Sequence, residues 1–82
     1  MEELDILTLE DGKDYVIAKM LTYKNRNFLL LVEVDKDENL LNNKLVVEKI
    51  SGDGEYLELI EDKKLYDIVS SRFAKMLLDD IK

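Results

Sequence analysis

Apolar residues change period once along this chain, and the change falls at Asp62. Before it they come in short alternating runs separated by polar turn residues. After it they recur every three or four positions. The first pattern is that of strands, the second that of an amphipathic helix. Residues 4–9 read as a short strand with β-branched Ile6 and Thr8. Asp11-Gly12 then forms a tight turn, since glycine reaches the positive φ of a two-residue hairpin at no steric cost. Residues 14–23 make the second strand. Lys24-Asn25-Arg26-Asn27 punctuates it as a second hairpin, because asparagine tolerates left-handed backbone. Residues 28–34 form the most apolar strand, with Phe28, Leu30, Val32 and Val34 on one face and Leu29 and Leu31 on the other. Apolar side chains on both faces predict burial of both.

Residues 35–43 read as a polar connection with Leu40 and Leu41 as an anchor. Residues 44–51 and 55–60 are the last two strands, joined at Ser51-Gly52-Asp53-Gly54. In the last strand Tyr56, Glu58 and Ile60 alternate cleanly with Leu57 and Leu59, so a slip of one residue would exchange its faces. From 62 to 81 the stripe Leu65, Ile68, Val69, Phe73, Met76 and Leu77 predicts a helix, with Asp62 as its N-cap. The expectation is a single α+β domain over 1–82: a five-stranded antiparallel, curved meander sheet followed by one C-terminal amphipathic helix packed on one face.

Composition narrows the chemistry. The 82 residues contain no histidine, cysteine, tryptophan or proline, and an apolar share of 46% supplies the core. With 19 acidic against 12 basic residues the net charge is −7. That sign repels phosphate backbones and anionic lipid and favours basic partners. No apolar run approaches the roughly 20 residues of a membrane helix. Met1-Glu2-Glu3 lacks the basic start of a secretion signal, so a cytoplasmic location with no membrane association is expected.

Motifs with reactive chemistry are weak. Asp35, Asp37 and Asn39 have the opening spacing of a calcium loop, but Leu40 and Val46 stand where glycine and glutamate are required. A solvated acidic loop is the better reading. Glycines 12, 52 and 54 suit turns and are too scattered to cradle phosphate. Serines 51, 70 and 71 have no imidazole to activate them. Paired carboxylates suffice for acid–base work in principle, but a domain of this size seldom encloses a substrate pocket. No catalytic residue, cofactor site or metal ligand is assigned, and the chain is read as a non-enzyme.

Two features point to binding. Tyr23, Lys24, Arg26 and Phe28 gather aromatics and cations at one hairpin, a combination that stacks on single-stranded nucleic acid. A turn with solvated bases and core-facing aromatics explains them better. The second feature is apolar surplus: two-sided strands plus Tyr66, Leu78 and Ile81 on the helix. Either this surface meets a partner or a second copy, or the sheet curls on itself and hides both faces. Tyr23, Arg26, Tyr66, Leu78 and Ile81 are the candidate interaction residues.

The succession Ile6-Leu7-Thr8-Leu9-Glu10-Asp11-Gly12, the hairpin with Tyr23 and Phe28, Leu29-Leu30-Leu31, Asp35-Lys36-Asp37-Glu38-Asn39, Leu45-Val46-Val47-Glu48-Lys49 and Leu59-Ile60-Glu61-Asp62 resembles the small acidic YrzB-like proteins of Gram-positive bacteria. The resemblance spans nearly the whole chain. It implies a cytoplasmic bacterial domain without an assigned active site. The sequence thus leads to a protein-interaction domain whose partner is an unidentified protein or its own copy. A nucleic-acid accessory protein and an acidic nucleic-acid mimic are the alternatives.

Overall fold

The computed structural model describes residues 1–79. Five strands follow one another as β1 (Ile6–Thr8), β2 (Asp14–Tyr23), β3 (Arg26–Val34), β4 (Leu40–Gly52) and β5 (Gly54–Leu59), and α1 (Lys63–Asp79) closes the chain. Every strand pairs antiparallel with its sequence neighbour, in the spatial order β1-β2-β3-β4-β5. The sheet curls into a half-barrel, and the α+β meander expected from the alternation is the observed fold.

Local chemistry sets the turns. Between β2 and β3, Lys24 and Asn25 both have positive φ, which joins Tyr23 directly to Arg26 in a two-residue turn. β3 therefore begins at Arg26, two positions before Phe28. The first hairpin is wider than the Asp11-Gly12 pair predicts. Leu9 bonds to the Lys13 carbonyl, leaving Glu10, Asp11 and Gly12 as a three-residue loop with Gly12 at φ 80°. The Asp11 carboxylate accepts from the Lys13 amide and fastens it. Residues 40–43 are not a connection. They open β4, with Leu40 opposite Val34. The true turn is Asp35–Asn39, where the Asp35 carboxylate accepts from the amides of Asp37 and Asn39 and from the Asn39 side chain. Leu40 and Leu41 stay exposed and anchor nothing.

Two irregularities bend the sheet. Ala18 bulges out between the paired residues Ile17 and Lys19. Further along, Glu33 alone faces Leu41, Asn42 and Asn43, between the pairs Val32–Lys44 and Val34–Leu40. Bulges of this kind raise local twist and curl a sheet. The curl gives two cores. On the concave side Tyr15, Ile17, Leu29, Leu31 and Val47 are buried, with Leu7, Leu9, Met20, Leu45 and Leu57 around them. On the convex side Phe28, Leu30 and Val46 meet Val69 and Phe73 of α1. Both faces of β3 are thus buried inside one molecule.

Asp62 caps α1 as expected: its carboxylate accepts from the amides of Lys64 and Leu65. Val69 and Phe73 face the sheet, while Asp67, Ser71 and Lys75 face solvent.

Candidate functional site

β1 and β5 are the edges of the sheet, and among the described residues neither has a second strand beside it. They face each other across an open seam. On its concave side lies a groove of about 380 Å3, lined by Thr8, Leu9, Glu10 and Asp11 from the β1 side, Leu45 and Val47 from the floor, and Tyr56, Leu57 and Leu59 from β5. Register explains this lining. Leu59 pairs with Val47 and Leu57 with Lys49, so alternation turns both leucines toward the concave core. No further strand shields the rim. Leu59 is consequently 68% exposed, whereas Leu29 on the floor is 0% exposed; Tyr56, opposite Ile50 and so on the alternate face, borders the rim at 54% exposure.

A polar network fixes the β1 end of this groove. The Tyr15 hydroxyl donates to Asp11 at 2.9 Å and accepts from the Asn43 amide at 3.2 Å, and Asn43 also donates to Glu33 at 3.1 Å. One residue from each of three strands and one from the first turn are tied together. Burial pushes the Tyr15 phenol upward from its ordinary value of 10.0, and the charge of Asp11 adds to the shift. Asp11 is held below its usual 3.8, first by the Lys13 amide and then by the Tyr15 hydroxyl.

The other face of β5 has the opposite character. Glu58 stands beside Glu48 on the convex side, and together with Leu59, Ile60, Glu61, Asp62 and Leu65 they line a depression of about 600 Å3. Like charges directly opposite one another across a strand pair repel. Arg26 relieves this by gripping Glu48 with two hydrogen bonds, at 2.8 and 2.6 Å from its Nε and Nη2. The fork lowers the Glu48 carboxyl and raises the Arg26 guanidinium. Arg26 is the one cation in this lining among the described residues, and it is committed to Glu48. Glu58, Glu61 and Asp62 leave the depression acidic.

The residues singled out from sequence do not converge. Tyr23 is half-buried against the convex core, with the Arg72 guanidinium 4.8 Å from its ring centre and the Lys24 ammonium at 5.5 Å. Arg26 lies against the ring of Phe28, itself fully buried. The aromatics and cations of that hairpin are therefore largely satisfied by one another and by Glu48. Tyr66 and Leu78 are exposed at 43% and 65%. Separated by twelve positions of helix, about 18 Å, they form no common patch. Ile81 lies outside the described residues. Groove residues Leu9, Tyr56, Leu57 and Leu59 were not among the candidates. Leu57 and Leu59 carry a signal in the sequence: a final strand with leucines on one face and nothing after it in the meander to cover them.

No three acidic side chains converge as metal donors among the described residues. No helix of the described residues is long and apolar enough to cross a membrane. No family model matches the chain, and no curated protein or solved structure is significantly similar to it.

Proposed function

We propose that the protein is a small, non-enzymatic interaction domain of the bacterial cytoplasm that docks a polypeptide partner along the seam of its half-barrel. The observation that carries this reading is the exposure of Leu59 and Tyr56 on an edge strand beside an apolar groove. Unpaired backbone groups along an edge accept an added strand, and neighbouring pockets then select its side chains. The internal engagement of Tyr23, Arg26 and Phe28 counts against stacking on nucleic acid. The resemblance to the YrzB-like proteins agrees with a cytoplasmic domain and adds no partner.

Photo-crosslinking side chains placed at Tyr56 or Leu59, and in separate variants at Tyr66 or Leu78, test the reading in native bacterial extract. The expected result is a crosslinked polypeptide obtained through β5, its attachment mapped to one short segment. Equal or stronger capture through Tyr66 or Leu78 refutes the seam as the docking surface.

A further inference from the structure

We infer that the seam takes an extended segment in which apolar residues alternate with lysine or arginine, paired to the outer edge of β5. The inference rests on the interaction-domain reading and specifies the partner's chemistry. Its basis is the unlike character of the two faces of β5. A strand laid beside β5 sends successive side chains to opposite faces. Those on the concave side meet the apolar groove around Leu9, Val47 and Leu59. Those on the convex side meet the depression held by Glu58, Glu61 and Asp62, whose single lining cation is already bonded to Glu48. One face rewards burial of aliphatic carbon, the other positive charge. β5 has six residues, so the matching segment is about six residues long, or roughly 20 Å at strand rise.

A second copy of the chain fits this site poorly. Glu55 and Glu58 lie on opposite faces of β5, so an antiparallel β5–β5 pair centred on either one sets that glutamate against its own copy, and like charges across a strand pair destabilise it. A strand with the charges reversed turns the same carboxylates into attractive contacts.

The experiment uses the whole chain and three fluorescent hexapeptides: alternating lysine and valine, the same composition with its lysines and valines in separate blocks, and alternating glutamate and valine. Anisotropy measures affinity, amide chemical shifts locate the contact, and sedimentation gives the oligomeric state. The alternating lysine–valine peptide is expected to bind with shifts along β5 and the Leu9–Leu57 groove. Each control peptide is expected to bind at least about tenfold more weakly, the difference shrinking with salt. Joint Glu58→Lys and Glu61→Lys substitutions, both at exposed positions, are expected to weaken binding about tenfold. Leu59→Asp should act from the apolar side alone.

Equal binding of the block peptide overturns the alternation, as do shifts confined to the Tyr23 hairpin or a dimer closed through β5. If none of the peptides binds while β5 still crosslinks a partner in extract, the interaction-domain reading survives and the alternating pattern falls. If neither occurs, both fall.

Discussion

Leu29 and Leu59 face the same side of the sheet, one on the floor of the half-barrel and one on its rim, and truncating each to alanine distinguishes a covered seam from an open one. Leu29 is wholly buried among Tyr15, Ile17, Leu31 and Val47. Removing its outer carbons forfeits their transfer energy and leaves a cavity, a combined cost of about 2–5 kcal/mol. Leu59 is 68% exposed, so only about a third of the roughly 1.5–3 kcal/mol for a fully buried leucine is at stake. Because alanine retains the β-carbon, Leu59→Ala should cost about 0.5 kcal/mol. Urea unfolding at two protein concentrations measures both, provided the slope with denaturant is unchanged between variants. The contrast itself is the test. A loss for Leu59→Ala equal to that for Leu29→Ala would show the rim to be buried in solution. If that loss also grew with protein concentration, a second copy would be covering it. Either outcome refutes a free groove.

Other substitutions probe the parts that hold the seam. Asp62→Ala removes the acceptor for the Lys64 and Leu65 amides and should destabilise the protein by about 1 kcal/mol, seen as a lowered urea midpoint; an unchanged midpoint would mean that the cap contributes nothing. Tyr15→Phe breaks the bonds to Asp11 and Asn43 at a cost of about 1–2 kcal/mol; no change in stability would show the network to be incidental. In acid, Asp11, Asp35 and Glu48 all have folded values below their ordinary ones. Their contribution is therefore complete above about pH 4.5 and is lost as pH falls through the lowered folded values. Denaturation midpoints should fall with pH in that range, and less steeply in Glu48→Gln; a flat profile would contradict the assignment. In alkali the sign reverses for Tyr15, whose raised value keeps it protonated where free tyrosine ionises. Stability should decline as pH climbs past 10.0 through the raised folded value, with ultraviolet difference spectra reporting the late ionisation.

Much of the architecture was legible because strand and helix periods are local. The alternation in residues 55–60 shows a strand, one position from the observed Gly54–Leu59, together with its faces, and Asp62 marks its helix because a carboxylate there meets free amides. The curl was not legible. Ala18 bulges without a glycine or proline to announce it, and the irregularity at Glu33 depends on three residues of another strand. Leu40-Leu41-Asn42-Asn43 looked like a loop since two asparagines disfavour strands. Pairing of Leu40 with Val34 overrode that preference. Tyr66 and Leu78 are apolar positions on the helix outside its buried stripe. At 3.6 residues per turn, Leu78 projects about half a turn away from Val69 and simply faces solvent. The groove is not legible in the sequence, because a strand is an edge only by virtue of the sheet order, which the alternation along one strand does not encode.

That sheet order also explains why a seam exists at all. Five strands curled by two bulges cover the floor of the concave core, yet closure that abolishes edges requires β1 and β5 to pair. The loop after β1 and the second half of β5 instead stand apart, with Leu9 on one side and Leu57 and Leu59 on the other. After β5 the chain crosses to the convex face and spends its remaining described residues on α1, where Val69 and Phe73 seal the second core. The helix thus leaves the concave rim uncovered. An exposed edge with leucines invites indiscriminate strand addition, and charge along the edge is one of the ways proteins restrain it. Here the restraint has a single sign. Glu55 and Glu58 lie on β5 itself, with Glu61 and Asp62 just beyond. Acids alone raise the electrostatic cost of pairing with another equally acidic edge, which is the ground on which a basic strand is proposed as the occupant.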